Sequence, residues 1–140
     1  MDWNQFDRGV FLVNVLGIIY DKKTKKILIG RREKDPYLKE LSWCFPGGRP
    51  GYKEDIEFYL KHTIKLKTGL DVDVKDIVFA KTYPEKREFL SIYYSCEVTS
   101  GKEKAGEQFV ELLWVSAKDV QKHFTTSLHP QVKEYIKNLI

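Results

Sequence analysis

Two adjacent glycines, Gly47 and Gly48, lie between Pro46 and Arg49, and Arg31 and Arg32 come shortly before them in the chain. Glycine carries no Cβ, so the backbone of such a turn can come close to a ligand. Arginine presents a planar fork that meets phosphate oxygens in pairs. The chemistry suited to this combination is the gripping of a phosphate-bearing molecule. The plainer reading of Arg31, Arg32 and Arg49 is that of solvent-facing strand ends. The carboxylates Glu54, Glu103, Glu107 and Glu111, taken alone, read as solvated charges, with Glu54 favoured near a helix start by the helix dipole. Serine catalysis finds no support, because Ser42 has no nucleophile-elbow setting and no His–Asp pair is visible. His62, His123 and His129 stand apart, and a lone histidine is more often structural or exposed. Cys44 and Cys96 have neither metal-ligand spacing nor the makings of a disulfide framework. Both sit in apolar strand patterns as buried free thiols, which suits a reduced, cytoplasmic setting.

These residues need a frame, and the chain spells one out. Val10 to Tyr20 is a β-rich apolar run, read as a long buried strand. Asp21 and Lys22-Lys23-Thr24-Lys25-Lys26 make a solvated hairpin turn to the second arm, Lys26 to Arg32. Glu33 to Glu40 is a charged loop, with Pro36 against regular structure. Leu41 to Phe45 is a short strand that delivers the glycine turn. A helix follows, with Asp55 as N-cap accepting a backbone N–H near Phe58 and Gly69 as its left-handed stop. Ile56, Leu60 and Ile64, four apart, form the face that packs on a sheet; Thr63 and Lys67 form a neighbouring row. Leu70 to Val74, Ile77 to Tyr83 and Phe89 to Val98 read as strands, with a turn over Pro84 to Glu88. A polar loop, Ser100 to Gln108, enters a last strand, Phe109 to Val115. Two helices close the chain, Ala117 to Phe124 and His129 to Ile140, the second with proline in its first turn.

The 140 residues suit one domain with a full core. With 42% hydrophobic and 14% aromatic residues, the composition is that of a folded domain. The longest apolar run is broken by Asn14 and Gly17 and is too short to span a bilayer, so no membrane partner is expected. Met1-Asp2-Trp3-Asn4 shows no basic region leading into an apolar one, and a secretory signal is not expected. A net charge of +4 suits an anionic ligand.

The stretch from Gly48 to Leu70 resembles the Nudix signature: Gly, five residues, Glu, seven residues, then Arg-Glu-apolar-any-Glu-Glu-any-Gly-apolar. Gly48, Glu54 and Gly69-Leu70 fall in place without a gap. Where the family writes Arg-Glu-apolar-any-Glu-Glu, this chain has His62-Thr63-Ile64-Lys65-Leu66-Lys67, and only Ile64 fits. The resemblance covers nearly the whole chain, with a late "Glu, two residues, Trp" at Glu111 to Trp114 that family members often share. It implies an α/β fold, a single-domain Nudix-type α/β/α sandwich over residues 1–140 with a mixed sheet. It also implies that the Thr63 and Lys67 row faces the cleft above Gly48. Family glutamates hold divalent metals, and Mg²⁺ wants oxygen ligands, chiefly carboxylates and substrate phosphates. Thr63 offers a weak neutral oxygen, Leu66 none, and Lys67 a like charge. No metal ligand is therefore assigned, and Mg²⁺ or Mn²⁺ is disfavoured as a cofactor. His62 and Leu66 replace an Arg and the Glu it commonly helps orient, so both partners change together.

By resemblance, Glu54 supports the loop, and Glu107 and Glu111, like Glu103, fall where a late acidic ligand or base is placed. Glu54, Glu107 and Glu111 are thus the candidate catalytic residues. Arg31, Arg32, Gly47, Gly48, Arg49 and Lys67 are the candidate substrate-binding residues, with Lys67 a point-charge partner for phosphate. The implied function is hydrolysis or binding of a nucleoside-diphosphate-linked small molecule, a nucleotide or nucleotide sugar, with ordinary Mg²⁺-dependent hydrolysis weakened or lost. The GDP-mannose mannosyl hydrolase branch is similar in Pro46-Gly47-Gly48-Arg49 and in the Glu54 spacing, but keeps an acid at the place of Lys67. The alternative is a non-catalytic RNA-binding Nudix-fold protein, like the small subunit of the mRNA 3′-end cleavage factor, with Tyr37, Tyr52 and Tyr83 as stacking candidates and the Lys22–Lys26 turn as a possible contact. A homodimer is admitted, as in many relatives. A transcription regulator with an appended DNA-binding domain is not expected.

Overall fold

Period-two alternation in the first strand decides the layering. In β1 (Leu12–Asp21) Val15 and Ile19 point to one face of the sheet and Ile18 to the other, all fully buried. β2 (Lys26–Arg32) repeats the pattern, Leu28 siding with Val15, and Ile27 and Ile29 with Ile18. Two cores result, one on each face, as a sheet covered by helices on both sides requires. The computed structural model describes residues 8–33, 42–124 and 129–139.

The remaining elements are β3 (Trp43–Cys44), β4 (Gly47–Gly48), α1 (Ile56–Thr68), β5 (Leu70–Thr82), β6 (Phe89–Gly101) and β7 (Phe109–Ser116). A 3₁₀ turn (Ala117–Asp119), α2 (Val120–His123) and α3 (Pro130–Lys137) complete the fold. The sheet is mixed, in the order β3-β2-β1-β6-β5, with β4 paired to β1 and β7 to β2. β1 and β6 run parallel from Leu12 opposite Phe89 to Ile19 opposite Cys96, and the other pairs are antiparallel. The mixed-sheet α/β sandwich expected from the sequence is the architecture found.

α1 buries Leu60 and Ile64 against Val15, Ile19, Leu28 and Val72. Each of those two side chains contributes about 1.5–3 kcal/mol by leaving water. Asp55 caps the helix, although its Oδ1 accepts from the N–H of Ile56 at 2.7 Å and not from one near Phe58. Gly69 ends the helix at φ 77°, a left-handed conformation that side chains resist, and its N–H donates to the Lys65 carbonyl. The opposite face is covered by Val120, Val132 and Ile136. His129 begins α3, its Nδ1 accepting from the N–H of Gln131 at 3.1 Å.

Several boundaries shift from the sequence expectation. β1 starts at Leu12, leaving Val10 and Phe11 exposed. The two strands expected over residues 70–83 are one strand, because the polar Lys75-Asp76 step is absorbed as a register shift between Val74 and Ile77. α2 spans only Val120–His123, and Phe124 turns instead onto the Phe45 ring, centroids 5.1 Å apart. Leu41, Tyr37 and Ile140 lie outside the described residues. Among the described residues no helix is long and apolar enough to cross a membrane.

Candidate functional site

The glycine turn is held by β1. Gly47 and Gly48 pair with Leu16 and Val15, and the Gly17 N–H donates to the Pro46 carbonyl at 2.8 Å. A Cβ on Gly47 would overlap the Val15 carbonyl oxygen, so this approach of two backbones requires glycine. The Gly47 carbonyl meets the far end of α1, where the Lys67 Nζ donates to it at 2.5 Å. The same ammonium lies 5.7 Å from the centre of the Phe109 ring, close enough for attraction to the ring face.

Late residues wrap this end of the helix. The Lys104 N–H donates to the Thr68 carbonyl at 2.8 Å and the Gly106 N–H to the Lys67 carbonyl at 2.9 Å. The last carbonyls of a helix lack partners within it, and here a loop supplies them. Glu107 follows in a left-handed conformation, φ 53°. Gln108 then accepts from Arg32 Nη2 at 2.6 Å. Arg31 lies between Glu111 Oε1 at 2.9 Å and Glu33 Oε1 at 3.0 Å, and these hydrogen bonds, Glu111 first, hold its guanidinium pKa above the ordinary value.

Lys67 shows the opposite balance. Burial, foremost, and then the Arg32 guanidinium push its pKa below the ordinary lysine value, opposed by Cys44 and Glu107. An ammonium taken out of water needs partners to offset the lost hydration. Those that meet it here are a carbonyl oxygen and a ring face.

The expected residues thus sort themselves by place. Arg32, Gly47, Lys67 and Glu107 gather where β2, β4 and the C-terminal end of α1 meet; Arg31 and Glu111, opposite each other on β2 and β7, follow Ile29 and Leu113 onto the other face of the sheet. Glu54 is exposed before the helix start, the other end of α1, which is roughly 16 Å long between Ile56 and Lys67 at 1.5 Å per residue. Arg49 is exposed on the same connection. Glu103 accepts from Trp114 Nε1 at 2.6 Å. His62 is exposed on α1, and His123 stands edge-on to Trp43, centroids 5.7 Å apart. Tyr83 Oη pairs with Tyr93 Oη at 3.0 Å, while Tyr52 is fully exposed. Cys96 is buried and Cys44 half-buried, and neither is in a disulfide. Gln108, Phe109 and the Lys104–Gly106 backbone are contributors that the sequence does not reveal, because their partners lie on distant elements.

The signature positions do not fit a divalent cation. Thr63 is 93% covered, Leu66 is a hydrocarbon at 47% exposure, and Lys67 brings its own positive charge. Hard cations need oxygen donors, preferably anionic. Among the described residues no three His, Cys, Asp or Glu side chains are grouped so as to hold a metal ion.

Comparison with known proteins places the fold. The NUDIX domain family model matches residues 10–139, and the chain belongs to the Nudix family. The structure is similar to a Nudix hydrolase from Nitrosomonas europaea, TM-score 0.77 at 14% identity, over 92% of this chain and 72% of that one. It is similar also to a MutT protein from Methanosarcina mazei Go1, TM-score 0.72 at 18% identity, over 93% of each chain. A third likeness is to an ADP-ribose pyrophosphatase from Streptococcus suis, TM-score 0.63 at 17% identity, over 91% of this chain and 86% of that one. At such identities the likeness carries the fold alone. No curated protein matches the chain.

Proposed function

We propose that this Nudix protein binds a nucleoside-diphosphate-linked small molecule, a nucleotide or nucleotide sugar, and that ordinary Mg²⁺-dependent hydrolysis is weakened or lost. The observation that carries this reading is the pair of cations beside the glycine turn. Lys67 and Arg32 are near enough to oppose each other's charge, beside the glycine turn, whereas Arg31 is already held by Glu33 and Glu111. A phosphate placed there would relieve the repulsion between the two cations and accept their hydrogen bonds, which are the strong, charge-assisted kind. Gly47 and Gly48 shape the turn that presents the Gly47 carbonyl to Lys67, the space beside them being filled by the Val15 carbonyl and the Tyr59 hydroxyl.

Of the candidate catalytic acids, Glu111 is engaged by Arg31, Glu54 stands at the far end of α1, and Glu107 is exposed on the loop that bonds the Lys67 carbonyl. Residual proton transfer is therefore assigned to Glu107 before the other two.

A thermal-shift screen of nucleotides, nucleotide sugars and short RNAs, each with EDTA, Mg²⁺ or Mn²⁺, tests the reading. A ligand that binds only the folded state raises the midpoint by mass action. A rise with nucleoside diphosphate derivatives supports the proposal. A rise with RNA alone favours the non-catalytic RNA-binding alternative, for which Tyr52 and the exposed Lys22–Lys26 turn would be the contacts.

A further inference from the structure

Pairing with β1 brings the Gly47 carbonyl to the C-terminal end of α1, and the chain sets an ammonium there, that of Lys67. The ammonium is not a solvated helix-end charge. It is half-buried, reaches across 20 positions of chain to the Gly47 carbonyl at 2.5 Å, and rests by the Phe109 ring. An ammonium has three donors, and one is used by Gly47. Its neighbour Arg32 is another cation, whose Nη2 donates to Gln108. A cation held against a carbonyl, with donors to spare and a second cation alongside, has the electrostatics of a bound metal, supplied by the chain itself.

We propose that Lys67 is a built-in cation: its ammonium pins the glycine turn to α1 through the Gly47 carbonyl and offers its remaining donors to the ligand's phosphate, so that phosphate recognition here runs without a divalent metal. The ligand half rests on the functional reading above; the pin does not. The pin orders the turn before the ligand arrives, which lowers the entropy lost on binding. The stem of Lys67 packs along the site while its head stays charged, as long basic side chains do.

The test is calorimetric titration of inorganic pyrophosphate at low salt in EDTA, with amide exchange measured on the same proteins. Wild type is expected to bind equally in EDTA and in Mg²⁺, and to weaken as salt rises, because the contact is partly exposed. Lys67→Met, which keeps the stem, should weaken binding about ten-fold or more, since hydrogen bonds to charged groups are worth that much. Lys67→Arg should retain much of the affinity, and Lys67→Ala should regain part of it when propylammonium is added, a rescue that a purely packing role would not show. Equal affinity in Lys67→Met overturns the proposal. So does pyrophosphate binding that appears only with Mg²⁺ or Mn²⁺, a result that would leave the functional reading standing.

If wild type binds no pyrophosphate in any condition, the functional reading falls and takes the ligand half with it. The pin is then decided by exchange. Gly17, bonded to Pro46, and Gly48 should exchange about ten-fold faster in Lys67→Met, relative to the amides of β5, as loss of a tether of that strength implies. Unchanged exchange at both overturns it.

Discussion

At Ile64 the close approach of α1 to the sheet depends on the missing Cβ of Gly17. Gly17 lies under the helix, and a Cβ placed there would stand 2.9 Å from Ile64 Cδ1 and 3.1 Å from Cys96 Sγ. Carbon atoms in good contact sit about 3.5–4.0 Å apart, so Gly17→Ala drives the helix outward by roughly 0.6–1 Å or forces Ile64 off its rotamer. Overpacking of this kind costs about 1–3 kcal/mol. Ile64→Val removes the offending Cδ1 at a cost of about 0.5–1.5 kcal/mol. In the double variant the added methyl occupies space that Ile64→Val vacates, and the two penalties partly cancel. The expected sum of about 3 kcal/mol becomes about 2, a coupling of roughly 1 kcal/mol. Urea unfolding of the four proteins of the cycle, at constant m-value, measures it. Additivity within about 0.3–0.5 kcal/mol would refute the reasoning, because it would mean that the strain is absorbed at Cys96 or by the strand. The helix also carries Lys67, so Gly17→Ala alone should weaken pyrophosphate binding while Gly17→Ala/Ile64→Val restores it.

Three further outcomes follow from the same contacts. Gly47→Ala places a Cβ into the Val15 carbonyl oxygen, a backbone atom that cannot swing aside, so it should lower stability by about 3 kcal/mol and abolish any nucleotide-induced shift in unfolding temperature. Cys96 is 4% exposed with its pKa pushed up to about 12 by burial; Cys44, half-buried and close to the Lys67 charge, should react first with a disulfide reagent. Cys96 should follow only on unfolding, and equal native rates would contradict this. Asp71 is held below the ordinary carboxylate pKa, first by its hydrogen bond from Lys65 and then by Ser100. A carboxylate with a depressed folded pKa contributes stability that is full above its unfolded value, near pH 4, and lost as pH falls through the folded value. Asp71→Asn should therefore lower the unfolding temperature in the neutral region and flatten the acid limb of its plot against pH, the variant and wild type converging below about pH 4.

The frame was legible because its signals are local. The spacing from Gly48 to Gly69 and the four-residue recurrence of Leu60 and Ile64 lie within one helix and its two ends, and Gly69 takes the left-handed conformation its position demands. The row of Thr63 and Lys67 was legible as a row, but the acceptor of Lys67 was not, since Gly47 is brought to it by pairing with β1. The partners of Arg31 and Arg32 depend on the β2–β7 register, which sets Arg31 opposite Glu111 and Arg32 opposite Phe109. Nothing in a single sequence specifies that register. The break expected between Val74 and Ile77 was a misreading of a different kind: a polar step in an edge strand looks like a loop, yet a strand with one free side tolerates a bulge there.

The parallel pairing of β1 with β6 sets a timetable. The β1–β2 hairpin is synthesised before its partners, for β1 pairs with residues 89–96 and β2 with residues 109–116. At about 5–20 residues per second, roughly 3–14 s separate completion of the hairpin from the synthesis of the strand that covers β1. During that interval two long edges rich in Val, Ile and Leu lie open, the condition under which nascent chains associate edge to edge. The lysines of the Lys22–Lys26 turn, exposed in the finished fold, keep a cluster of like charge at the tip of that waiting hairpin. Like charges at that tip oppose the association of one waiting hairpin with another.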